Sequence, residues 1–162
     1  MKKYILCAII SCLVILVSSS IPATNETVAY PDGYRQWDLI KTHLTGPNNP
    51  AAPKYSGFNH IYANDKAVQG YKTGTWPDGA VIVFDVHESV ENKGDFSIGK
   101  RKFIDVMVKD AKKYESTGGW GFEEFAEGDK AKALLSEEEK TKCANCHKEK
   151  AGSDLVFTVY KD

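Results

Sequence analysis

The stretch AVIVFDVHESV, residues 80–90, decides the fold class. It is dense in β-branched and aromatic residues, which pack well on a pleated, half-buried surface. A repeat of two places Ala80, Ile82, Phe84 and Val86 on one face and Val81, Val83, Asp85 and His87 on the other. The first face is apolar throughout, so it is expected to lie against a core. A turn cluster, KTGTWPDG (72–79), precedes the strand, and the polar run ENKGDFSIGK (91–100) after it reads as a flexible connection.

Working outward, Phe58–Ala63 and Trp120–Ala126 read as further strands, and DLVFTVY (154–160) as a closing one. Helical spacing of Trp37, Ile40 and Leu44 predicts a short amphipathic helix over 34–44. Phe103, Met107, Ala111 and Tyr114 follow at steps of four, four and three, which predicts a second helix over 102–114. Residues 65–71 read as a helical turn. Ser136 followed by Glu139 is an S-x-x-E capping box, so a helix is expected to start at Glu137. Strands and helices mixed in this order give an α+β fold.

The start of the chain stands apart. Met1-Lys2-Lys3, the apolar run 5–17 and Ser18-Ser19-Ser20 have the pattern of a secretory signal peptide. The run is shorter than the roughly 20 residues that cross a bilayer, so a soluble periplasmic protein with no membrane anchor is expected. The expected division is a signal peptide over 1–23 and a single domain over 24–162. With 21 basic and 22 acidic residues the chain offers nucleic acid no strongly basic face. Of the four cysteines, Cys7 and Cys12 fall within the signal, which leaves Cys143 and Cys146.

Those two belong to TKCANCHKEK (141–150). Cys143-Ala144-Asn145-Cys146-His147 has the C-x-x-C-H spacing of covalent c-type haem attachment. On a helix the thiols are i and i+3 and the imidazole is i+4 from the first, so all three share one surface. Two thiols can then bond one porphyrin edge while His147 reaches the iron as proximal ligand. A zinc site would need further ligands from elsewhere, and a redox dithiol lacks the strand–helix alternation of thioredoxin-like folds. No methionine follows His147. Met107 reads as core packing on its apolar face rather than as a sixth ligand. His43, His60 and His87 read as structural or surface residues, and Trp37, Trp76 and Trp120 as packing anchors. Glu137-Glu138-Glu139 suits a solvated helix start.

Taken together, YRQW (34–37), YKTGTWPDGA (71–80), KDAKKY (109–114), GGWGFEEF (118–125), CANCH (143–147) and DLVFTVY (154–160) resemble the cytochrome P-460 family. The resemblance runs from Tyr34 to Tyr160. It implies an exported, homodimeric protein with one haem c, an antiparallel sheet supporting it, a periplasmic redox partner, and a small gaseous or nitrogenous ligand. Family enzymes that oxidise hydroxylamine carry a lysine bonded to the haem in the strand after the W-x-D-G turn. Phe84 stands at or near that position here, and a phenyl ring has no nitrogen to bond. The sequence therefore looks closer to the non-cross-linked branch, cytochrome c-prime-beta, whose aromatic caps cover a five-coordinate iron that binds nitric oxide.

The expectation is a cytochrome that binds nitric oxide or related small ligands at an open distal iron site, with Phe84, Ile82 and Val86 lining an apolar distal pocket that lacks hydrogen-bond donors, and Tyr55 and Phe58 as further caps. Such a pocket favours small neutral gases over water and anions. The alternatives are a hydroxylamine- or nitric oxide-oxidising enzyme cross-linked through another lysine (Lys72, Lys93 or Lys100) and a simple electron-transfer cytochrome.

Overall fold

The computed structural model describes residues 27–160. The signal peptide expected over 1–23 lies outside the described residues. Five strands form one sheet: β1 (Asp38–Thr45), β2 (Gly57–Ala63), β3 (Val81–Asn92), β4 (Asp95–Lys109) and β5 (Trp120–Ala126). Each pairs antiparallel with its neighbour in chain order. Helices α1 (Ala52–Tyr55) and α2 (Asp65–Thr73) flank β2, and α3 (Glu137–His147) follows β5. The fold is α+β, as expected.

Local chemistry fixes several boundaries. Asn64 caps α2 by accepting from the Ala67 N–H at 2.9 Å, and Gly74 ends the helix in the left-handed conformation. In the W-x-D-G turn, the Asp78 carboxylate accepts from the Ala111 N–H at 2.8 Å, which ties the entry of β3 to the chain beyond β4. Gly70 lets the Trp76 ring lie against α2, because a Cβ there would meet that ring at 2.4 Å. At α3 both arms of the capping box form between Ser136 and Glu139.

Four elements depart from the sequence reading. The helix expected over 34–44 is a 3-10 turn at Tyr34–Gln36 followed by β1. A register shift between Leu39 and Lys41 moves the alternation by one residue. The stripe that suggested a helix is not one face: Trp37 and Ile40 pack on opposite sides of the sheet and Leu44 is exposed. The helix expected over 102–114 is the second half of β4. That stretch is covered on both faces, so positions that satisfy a helical stripe also satisfy a central strand, and Ile104, Val106 and Val108 supply its β-branched bulk.

The connection expected over 91–100 is a hairpin, in which Asn92 pairs with Asp95 around Lys93 and Gly94. Both central residues have positive φ, 53° and 89°, as a two-residue turn matched to the strand twist requires. DLVFTVY forms no strand: Asp154 and Leu155 take positive φ of 48° and 66°, which breaks the extension. Leu155 and Val156 are buried in the core instead.

Two cores line the two faces of the sheet. Ile61, Ala63, Ile82, Met107, Trp120 and Phe122 pack with Ala144 of α3 on one side. Val83, Ile104, Val106, Tyr34, Tyr114 and Phe125 pack on the other.

Candidate functional site

Helix α3 rests on β5 and delivers the three motif residues. Cys143 is half-buried against the first core and Cys146 is exposed, and both are free thiols. Burial, followed by the charge of Asp105, pushes the Cys143 thiol up. His147 is the last residue of α3. Its Nδ1 lies 2.7 Å from the Leu155 carbonyl oxygen. A carbonyl can only accept, so Nδ1 carries the proton and Nε2 keeps its lone pair. Phe122 and Phe157 flank the ring at 5.2 and 4.7 Å. Burial holds the imidazole below its ordinary value, against the pull of the Leu155 bond, which favours the neutral, ligating form.

The carbonyl that orients His147 comes from the left-handed corner at Asp154 and Leu155. That corner is pinned by the Lys109 ammonium, 2.7 Å from the Asp154 carboxylate. The same ammonium lies over the Trp120 ring at 5.1 Å. The closing segment thus orients His147 rather than extending the sheet. Two thiols and an imidazole with a fixed tautomer, on one helix against an aromatic and aliphatic core, fit a covalently held haem with His147 toward the iron.

Ile82, Phe84 and Val86 share the face that carries this core, by alternation along β3 and by register with β2 and β4. Phe84 pairs with Ile61 and Asp105. The Tyr55 ring lies 5.7 Å from Phe84 and 5.7 Å from Phe103. Phe58 does not join them. It pairs with Leu44 and His87 and, one residue out of step with Asn59 and Ile61, belongs to the opposite face.

The donor-free face expected from the sequence requires correction. His43 of β1 stacks on Phe84 at 6.1 Å and 22°, and its buried Nδ1 has no hydrogen-bond partner. Beyond Phe84, the same row of the sheet continues into Asp105 and Glu124. Lys54 of α1 forms a hydrogen-bonded ion pair with Glu124 and lies over the Tyr55 and Phe103 rings at 5.3 and 5.1 Å. Burial, then the hydrogen bond and charge of Glu124, hold the Asp105 carboxyl well above the usual carboxylate range, against the Lys54 charge and a Tyr55 hydrogen bond. Burial and the Asp105 charge push the Tyr55 phenol up to about 12.

Burial acts to lower the Lys54 ammonium, but the Glu124 hydrogen bond and the Asp105 charge outweigh it and hold it raised. His43 and Asp105 escape the sequence reading because helical spacing predicts helices where β1 and β4 lie, and Lys54 and Glu124 escape it because their contact joins residues 70 apart. Read at a period of two, Phe103-Asp105-Met107 shares one face, which is the signal that could have found them. Of the alternative lysines, Lys93 sits at the hairpin tip and Lys72 lies over the Tyr160 ring at 5.7 Å. Lys100 lies on β4 toward the hairpin.

An antiparallel sheet that backs a helix-borne C-x-x-C-H, with the histidine tautomer set for iron, defines a c-type cytochrome of the sheet-based kind. Residues 31–158 match the family model described as Cytochrome P460, and the chain belongs to that family. The family binds haem c. No individual curated protein matches the chain.

Proposed function

We propose that this cytochrome binds a small neutral ligand, nitric oxide foremost, at the iron position that His147 leaves open. In this it resembles the non-cross-linked cytochrome c-prime-beta branch. Haem joined to Cys143 and Cys146 supplies the coordinating iron. The observation that carries the reading is Phe84: a phenyl ring stands where the cross-linking enzymes have a lysine, with the rings of Tyr55 and His43 against it. Together these rings exclude water by bulk, and the Leu155 carbonyl holds His147 in one orientation. Met107 pairs with Ile82 and with Phe122, the ring that flanks His147, which supports packing rather than ligation from across the haem. Export to the periplasm, assembly as a homodimer and a periplasmic redox partner belong to the same reading.

Phe84→Ala tests it. Truncation should cost about 3 kcal/mol of stability by analogy with other large-to-small changes in cores. It should also admit water, visible as a changed ferric spectrum and faster association of carbon monoxide with the ferrous protein. An unchanged spectrum with unchanged gas kinetics would remove Phe84 from the pocket. Digestion followed by mass spectrometry should recover haem only on the Cys143–His147 peptide. A lysine–haem peptide would instead establish the oxidising-enzyme reading.

A further inference from the structure

The first core holds a line of rings that ligand binding does not use. It starts at His147, whose ring lies 5.2 Å from that of Phe122. Trp120 stands two residues before Phe122 on the same face of β5, about 6.6 Å along the strand. The Trp76 ring meets Trp120 at 5.5 Å and 68°, and Tyr71 meets Trp76 at 4.8 Å. Trp120 is fully buried, whereas Trp76 is partly exposed in the turn that enters β3. The line therefore runs from the iron-facing histidine outward to a surface turn.

Packing explains apolar rings here, but it does not explain two indoles in contact. A buried indole N–H usually finds an acceptor, yet Nε1 of Trp120 is buried with no hydrogen-bond partner among the described residues. A phenyl ring at 120 would fill the core without leaving that donor unpaired. What an indole adds is the ability to give up one electron. The oxidised indole is a strong acid at its N–H, and Trp120 has no base beside it to take the proton. The electron deficit thus stays mobile and is filled from the next ring. Lys109, over the Trp120 ring at 5.1 Å, opposes added positive charge only weakly, because Asp154 lies 2.7 Å from its ammonium. Tyr71 is a poor outlet: burial pushes its phenol up to about 12, against a Thr158 hydrogen bond, and a phenol gives up its electron readily only along with that proton.

We propose that Trp120 and Trp76 form a relay that carries oxidising equivalents from the haem to the surface when a peroxide is the oxidant. Hydrogen peroxide takes two electrons and two protons and leaves as two water molecules. Each electron that the haem supplies is replaced from Trp120, Trp120 is refilled from Trp76, and Trp76 releases its indole proton to water. A small one-electron reductant from solvent then returns an electron and a proton to Trp76. The inference rests on the reading of a haem held at Cys143 and Cys146 with an open iron position, and the two can fail separately.

The test uses the ferric holoprotein and hydrogen peroxide with no added reductant. Electron paramagnetic resonance of freeze-quenched samples should show an indolyl radical, and peptide mass spectrometry should find Trp76 oxidised ahead of Trp120 and Tyr71. In Trp120→Phe, oxidation of Trp76 should fall to the level of haem-free chain treated alike. Undiminished oxidation of Trp76 in that variant overturns the relay. Carbon monoxide on the ferrous form separates the two readings. Failure to bind it sinks the open site and the relay together, whereas binding with neither an indolyl radical nor oxidised Trp76 sinks the relay alone.

Should Trp120→Phe fail to fold, Trp76→Phe, made at a partly exposed ring, decides the matter. The haem loses its outlet in that variant, so its absorbance should bleach faster under peroxide and the indolyl signal should be lost. Bleaching at the unaltered rate with the signal retained overturns the proposal.

Discussion

Asp85 is fully buried and Asp105 half-buried in the middle of one sheet, and they are treated in opposite ways. Asp85 lies on the face away from α3, on the same row as Ile104. It receives a hydrogen bond from Tyr34 at 2.7 Å and two from Arg101 at 2.7 and 3.2 Å, with His87 Nε2 at 3.0 Å and Arg35 at 3.5 Å. Burial acts to raise its acid range, but the Arg101 and Tyr34 bonds outweigh burial and hold it below the usual carboxylate value. Asp105, on the other face, meets a second carboxyl and is held above it. One aspartate is neutralised by cations and serves the fold. The other is left in competition for a proton, and it is the one beside Phe84 and Cys143. Burial alone therefore does not fix the charge of a carboxyl; the sign of its neighbours does.

The largest effect expected from breaking this contrast is in Asp85→Ala. It strips a fully buried anion from Arg101, Tyr34 and His87 and should cost about 3–5 kcal/mol, read from the urea midpoint. A loss under about 1 kcal/mol would mean the network is incidental. The next effect is in pH dependence. A carboxyl lowered by folding, such as Asp85, contributes stability above its unfolded value near about 3.9, and that stability is lost as pH falls through the folded value. A carboxyl raised by folding, such as Asp105, acts the other way: its protonated form is favoured in the folded chain, so stability declines as pH rises from about 3.9 to the folded value, by up to about 1.4 kcal/mol for each pH step of one. Asp105→Asn should therefore flatten the decline in stability above about pH 4, measured by denaturant unfolding across a pH series. A decline of the same slope in the variant would show that Asp105 is not raised. The smallest effect is expected from Arg35→Ala. That side chain is 56% exposed and its partner is already satisfied, so less than about 1 kcal/mol should be lost.

The C-x-x-C-H cluster was legible because its chemistry is local. Cys143, Cys146 and His147 are brought together by one helical turn, and Ser136 and Glu139 start that helix through contacts three residues apart. The strands β2, β3 and β5 were legible for a similar reason, since β-branched and aromatic residues declare themselves within a few positions. The sheet face around Phe84 was legible only in part. Ile82, Phe84 and Val86 follow from alternation along one strand, whereas Tyr55 reaches Phe84 from a separate helix. Phe58 falls on the wrong face because β2 alternates against it.

The amino-acid sequence by itself determined which three residues make the C-x-x-C-H cluster and where the central strand runs, because both depend on residues within one turn or one pleat of each other. The tertiary structure decided what stands around Phe84 and His147. Strand register brings His43, Asp105 and Glu124 to the face of Phe84, and Lys54 reaches Glu124 from α1. The left-handed corner at Asp154 and Leu155 turns a carbonyl onto His147. Most of these contacts join residues tens of positions apart, and a bulge or a strand covered on both faces hides them from any reading by period. Register between strands is set by the packing of the whole sheet.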